Sequence, residues 1–178
     1  MNPPVPTPPR GKAVFLDRDG VLNEEIGDYV WQPEKFMVLD GVPESLARLK
    51  QAGYYLVVIT NQAGIAKKLY TETDVQACHE KLQLACGNLL DALYFAPSHP
   101  SVSESLSRKP DSLMLEKAMA RFALDPAQCW IVGDRHRDIQ AGAKVGVRGI
   151  LVGHSETADY QPHVADLSAA TDLILGAS

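Results

Sequence analysis

Four short segments carry side chains that could do chemistry together. Asp17-Arg18-Asp19-Gly20-Val21, Thr60-Asn61-Gln62, Arg108-Lys109-Pro110 and Gly133-Asp134-Arg135-His136-Arg137-Asp138 each follow an apolar run or its loop. Three or four carboxylates brought to one place repel each other unless a cation sits among them. An all-oxygen donor set suits a hard ion such as Mg2+. One carboxylate can attack phosphorus and form an aspartyl-phosphate. A second, two residues on across a tight turn, can serve as general acid and then general base. Lys109 and the Thr60 hydroxyl can stabilise charge on transferring phosphoryl oxygens. Gly20 lets the chain turn sharply away. Taken singly, each segment reads as an ordinary turn or helix cap. Their conjunction, in this order, is what carries the chemical reading.

The elements around them explain how they could meet. Ala13–Leu16, Tyr55–Ile59, Leu93–Ala96, Trp130–Val132 and Gly149–Val152 are short apolar runs that read as buried strands. Between them lie helical stretches. One has Pro43 in its first turn and stops at Gly53. A second opens on the capping signature Thr71-Glu72-Thr73-Asp74 and runs to about Leu90. A third, capped by Asp111 or Ser112, runs to about Phe122, and a fourth spans Asp138–Val145. Leu173-Ile174-Leu175 reads as a last short strand. The alternation predicts an α/β, doubly wound, Rossmann-like parallel sheet with helices on both faces. In such folds ligands bind at the carboxyl ends of the strands, so the four segments form one site. No insertion between Asp19 and Asn61 is long enough for a large cap domain.

The chain has 178 residues, with 17 basic and 22 acidic side chains and a net charge of −5. That length fits one domain, expected over residues 12–178, behind a Pro-rich disordered tail at 1–11. The acidic balance argues against a nucleic-acid partner but not against a small phosphorylated one. No apolar run is long enough to span a bilayer, and the N-terminus resembles neither a signal nor a transit peptide. A cytoplasmic monomer with no membrane partner is expected. Three cysteines are too few for a disulfide framework. Cys78, Cys86 and Cys129 are expected in the core, and His79, His154 and His163 on the surface. His136 could border the pocket.

The chain resembles the haloacid dehalogenase (HAD) superfamily in its phosphatase branch. FLDRDGV, ITNQAGI, the lysine of SRKP and VGDRHRD resemble its four motifs. DRDGVLN, TNQAGIA and RKP are similar to the D-glycero-D-manno-heptose 1,7-bisphosphate phosphatase and histidinol-phosphate phosphatase group. The resemblance implies a Mg2+-dependent phosphomonoester hydrolase acting through an aspartyl-phosphate. Asp17 would be the nucleophile and Asp19 the acid/base, protonated when the leaving oxygen departs. Mg2+ would be held by Asp17, the Asp19 backbone carbonyl and Asp134. Thr60 and Lys109 would stabilise the phosphoryl group. Arg108 would recognise substrate, Asn61, Gln62 and Arg135 would line the pocket, and Glu25 and Tyr29 could contact sugar hydroxyls. Asp138 would orient the lysine or metal-bound water. The foremost substrate is the C7 phosphate of a heptose 1,7-bisphosphate. Histidinol phosphate or another sugar phosphate is the alternative. A polynucleotide 3′-phosphatase and a non-catalytic phospho-ligand binder are readings of other classes.

The chain departs from that group at one loop. Where relatives carry Cys-x-His and Cys-x-Cys for zinc, this chain has Ala96, Ser98, Ser105 and Ser107. No structural zinc is expected, and hydroxyl hydrogen bonds and packing should hold the 96–107 loop.

Overall fold

The computed structural model describes residues 11–102, 104–153 and 160–177. Six strands form one sheet in the order β3-β2-β1-β4-β5-β6. They are β1 (Ala13–Leu16), β2 (Tyr55–Asn61), β3 (Ala92–Ala96), β4 (Trp130–Gly133), β5 (Arg148–Val152) and β6 (His163–Val164). Every pairing is parallel. The helices are α1 (Val42–Gln51), α2 (Glu72–Ala85), α3 (Leu113–Phe122), α4 (His136–Ala143) and α5 (Leu167–Gly176).

The two faces of β1 show why the strand must be central. Val14 and Leu16 pack with Leu46 and Leu49 of α1, Leu82 of α2 and Ile174 of α5. Ala13 and Phe15 alternate onto the other face, against Met114, Leu115 and Ala118 of α3 and Ala141 of α4. A four-residue strand buried at every position therefore reads as an unbroken apolar run. The chain winds outward from β1 to β3, then returns to lay β4 on the other side of β1. The strand order thus reverses at β1, and a crevice opens beyond the carboxyl ends of β1 and β4.

Several sequence expectations need correction. Leu173–Leu175 is not a strand but lies inside α5, whose N-cap Asp166 accepts from the Ala169 N–H at 2.9 Å. The sixth strand is instead the pair His163–Val164. α2 starts on the expected capping box but ends at Ala85, because Gly87 and Asn88 both take positive φ. α4 begins at His136, two residues before the expected start. Cys78, Cys86 and Cys129 are buried, as expected, and so is His79, against the expectation of a surface position. His163 is half-buried, its Nε2 2.6 Å from the Gly153 carbonyl. Gly11, assigned to the tail, exchanges backbone hydrogen bonds with Ala123 and Asp125. His154 and the tail residues 1–10 lie outside the described residues. No described helix is long and apolar enough to cross a membrane.

Candidate active site

Asp17 follows β1 directly and is nearly buried. Its Oδ1 accepts from the Arg18 N–H at 2.7 Å and lies 2.8 Å from the Lys109 Nζ. Oδ2 meets no protein donor among the described residues, so one oxygen is fixed and the other is open to a ligand. Asp134 follows β4, and Asp138 lies in the first turn of α4. Carboxylate oxygens of Asp17, Asp134 and Asp138 all come within 4.8 Å of one another.

That crowding has an electrostatic signature. Burial, then the charges of Asp17 and Asp138, pushes the Asp134 carboxyl up to about 7. Two glycines make the approach possible. Gly20 sits at φ +82°, and a Cβ there would come 2.7 Å from Asp134 Oδ2. A Cβ on Gly133 would come 2.3 Å from the Asp138 Cβ. The Asp19 carbonyl accepts no hydrogen bond among the described residues. It and the carboxylates of Asp17 and Asp134 make an all-oxygen donor set suited to a hard divalent cation.

Lys109 is buried, with one carbonyl and two carboxylate oxygens around its ammonium. Nζ lies 2.7 Å from the Ile59 carbonyl, 2.8 Å from Asp17 Oδ1 and 2.7 Å from Asp138 Oδ1. Burial alone would lower its pKa, but Asp138 and Asp17 outweigh that and raise it. It is a fixed positive charge rather than a mobile one. Asp138 also accepts from the Arg135 N–H at 3.0 Å, so it braces both the lysine and the turn after β4.

Asp19 is held by donors on three sides. Arg18 reaches it at 2.9 and 3.1 Å through Nη2 and at 3.2 Å through Nε. Asn23 Nδ2 donates at 3.0 Å and Gln62 Nε2 at 3.3 Å. These donors fix the position of the Asp19 side chain beside Asp17. Thr60 is buried, and its Oγ1 accepts from Gln62 Nε2 at 2.9 Å. The hydroxyl proton is thereby left to donate elsewhere.

The expected substrate contacts separate into two groups. Asn61 and Gln62 line a cleft of about 350 Å3 with Asp19, Glu25, Tyr29 and Arg137. Their amides, however, are engaged within the protein. Asn61 exchanges two hydrogen bonds with the Lys109 backbone, and Gln62 Oε1 accepts from the buried Tyr70 hydroxyl at 2.7 Å. At the mouth, Arg135 bridges Asp134 at 3.1 Å and Glu25 at 2.8 Å. The Tyr29 hydroxyl accepts from Lys67 at 2.9 Å. Arg108 donates to the Ser98 carbonyl at 3.0 Å, and burial followed by the nearby Arg137 charge lowers its pKa. His136 packs edge-on against Tyr160 rather than lining this cleft.

The 96–107 loop is tied by hydroxyl groups. Ser105 and Ser107 share a hydrogen bond of 2.7 Å, and Ser101 Oγ lies 2.6 Å from His99 Nδ1. Sequence reasoning missed Arg18, Asn23, Tyr70 and Arg137. For Arg18 a signal existed: the two-residue period of β1 places it on the same side as Val14 and Leu16, facing the core. Tyr70 lies in an irregular turn, where no period points anywhere.

Comparison with known proteins agrees with this geometry. The HAD-hydrolase-like family model matches residues 106–174. The D-glycero-D-manno-heptose-1,7-bisphosphate 7-phosphatase of Chlorobaculum tepidum is 35% identical over 93% of this chain and 95% of its own. The D-glycero-alpha-D-manno-heptose-1,7-bisphosphate 7-phosphatase of Burkholderia mallei is 40% identical over 80% of each chain. The D,D-heptose 1,7-bisphosphate phosphatase of B. bronchiseptica, crystallised with magnesium and phosphate, superposes with a TM-score of 0.85 at 31% identity. That match covers 94% of this chain and 99% of the other. By these measures the chain belongs to the heptose-1,7-bisphosphate 7-phosphatase family of HAD-like hydrolases.

Proposed function

We propose that this protein is a Mg2+-dependent phosphatase that removes the C7 phosphate of a D-glycero-D-manno-heptose 1,7-bisphosphate. The observation that carries the chemistry is the Asp17 carboxylate. One of its oxygens is locked by Lys109 and the Arg18 N–H, and the other is free beside two further carboxylates. The choice of sugar rests on the family relatives.

Asp17, Asp134 and the Asp19 carbonyl would hold Mg2+, which supplies positive charge against the phosphoryl oxygens. The Asp17 carboxylate forms a bond to phosphorus as the phosphorus–sugar oxygen bond breaks. Asp19 gives its proton to the departing oxygen. Asp19, now a base, takes a proton from water as the water oxygen bonds to phosphorus. The phosphorus–Asp17 bond then breaks, releasing inorganic phosphate and restoring both aspartates. Lys109 holds Asp17 in line and offsets its charge. The Thr60 hydroxyl donates to a phosphoryl oxygen.

The test is phosphate release with Mg2+ from heptose bisphosphates, histidinol phosphate, other sugar phosphates and a 3′-phosphorylated oligonucleotide. The heptose bisphosphate should give the highest kcat/KM. Fastest turnover of any other substrate rejects this assignment. Asp17→Asn should lower kcat by at least about a thousandfold. Appreciable Mg2+-dependent activity in a fresh preparation of that variant would contradict the nucleophile.

A further inference from the structure

Arg18 stands between the two aspartates of the first motif, yet only 1% of it is exposed. A buried guanidinium is costly unless paired and hydrogen-bonded. Its one ion pair among the described residues is with Asp19, through the forked contacts given above. The same Nη2 donates to the Val30 carbonyl at 2.6 Å, and the guanidinium lies 5.4 Å from the centre of the Phe36 ring. One planar group therefore joins the acid/base carboxylate to the backbone of the substrate-side loop.

The loop returns to Asp19 by a second route. Tyr29 and Trp31 flank Val30 and pack on Tyr70, with ring centres 5.8 and 6.2 Å away. Tyr70 donates to Gln62, and Gln62 donates to Asp19. The circuit Asp19–Arg18–Val30–Trp31–Tyr70–Gln62–Asp19 closes on itself. A carboxylate that must give and take one proton in a fixed place gains from such bracing, because misplacement by about 1 Å costs rate steeply.

We propose that Arg18 is a positioning residue: it aims the Asp19 carboxylate and sets it in register with the loop carrying Tyr29. This rests on Asp19 being the acid/base. Lysine at this position keeps the charge but cannot hold Asp19 and Val30 with one rigid fork. The loss should fall on proton delivery, and hence on substrates whose leaving oxygen needs the proton.

The experiment compares wild type, Arg18→Lys, Arg18→Gln and Asp19→Asn, each loaded with Mg2+, in single-turnover cleavage of heptose 1,7-bisphosphate and of p-nitrophenyl phosphate. p-Nitrophenolate departs without a proton. Arg18→Lys should slow cleavage of the sugar phosphate about tenfold or more, with KM within about twofold. Cleavage of the aryl ester should be slowed much less. Arg18→Gln, which also lacks the cation, should show the same selectivity and is read in its place if the lysine variant does not fold. Equal losses on both esters, no loss on the sugar phosphate, or failure of both variants to fold would overturn the proposal. Asp19→Asn tests the underlying reading separately, since full sugar-phosphate cleavage by that variant removes the acid/base itself.

Discussion

Asn61, at the end of β2, and Lys109, in the loop between β3 and α3, clasp each other: the Asn61 amide donates to the Lys109 carbonyl, and its oxygen accepts the Lys109 N–H, both at 3.0 Å. The side chain at the end of β2 thereby fixes the backbone that launches the buried ammonium toward Asp17. Lys109→Met should lower kcat by about a hundredfold to a thousandfold, as for loss of a group preorganised against developing charge. Asn61→Ala should keep the charge and lose its placement, reducing kcat about tenfold with a smaller change in KM. Steady-state kinetics separate the two. An Asn61→Ala enzyme with wild-type kcat would mean that the clasp does not position Lys109.

Gly20 has a conformational and a steric reason to be glycine, since it combines φ +82° with close approach to Asp134 Oδ2. Gly20→Ala should destabilise the fold by about 1–2 kcal/mol and displace a candidate metal ligand. Calorimetric titration with Mg2+ should show affinity reduced about tenfold. Unchanged Mg2+ affinity in the folded variant would exclude Asp134 from the metal site.

The metal-free protein should lose thermal stability as pH rises from about 4 to about 7. Asp134 titrates near 7 in the fold, against an ordinary value of 3.8. Across that window the folded state keeps a proton that the unfolded chain has released, so raising pH favours unfolding. Mg2+ at a hundredfold its Kd should add about 2.7 kcal/mol, or roughly 5–10 °C in Tm. The gain should be larger at pH 8 than at pH 5. A chelated sample whose Tm rises over the window would contradict the crowded-carboxylate reading.

Elemental analysis of the purified protein should find no stoichiometric zinc. Ser105, Ser107 and Ser98 offer only hydroxyl oxygens where thiolates or imidazole would be needed. A zinc-selective chelator should leave Tm within about 1 °C. One bound zinc per chain would overturn this expectation.

What could be read from the sequence follows from physical periodicity. β1 is buried on both faces, so its apolar run was visible, and the carboxylates beyond it stood out against that run. Asp134 and Lys109 were legible for the same reason, lying where a strand or its loop gives way to charge. Leu173–Leu175 misled because three apolar residues in a row fit a strand locally. The spacing of Leu167, Ala170, Thr171 and Ile174, all buried on one side of α5, is the helical signal that wins. The roles of Asn61 and Gln62 were hidden because an amide's partners depend on tertiary neighbours, here Lys109 and Tyr70. Burial of His79 was hidden likewise, as its position on α2 faces the Cys78–Leu82 side of the core.

The three buried cysteines have a consequence for chemical resilience. Burial pushes the thiols of Cys86 and Cys129 up to about 11 and raises that of Cys78. At neutral pH, on the order of one in ten thousand of the Cys86 or Cys129 side chains is ionised. Oxidants and alkylating reagents attack the thiolate, so they find almost no target at either position. The proposed reacting groups are carboxylates, a hydroxyl and an ammonium, none of which changes state under oxidative stress. Turnover should therefore continue through peroxide exposures that silence enzymes built on a reactive thiol.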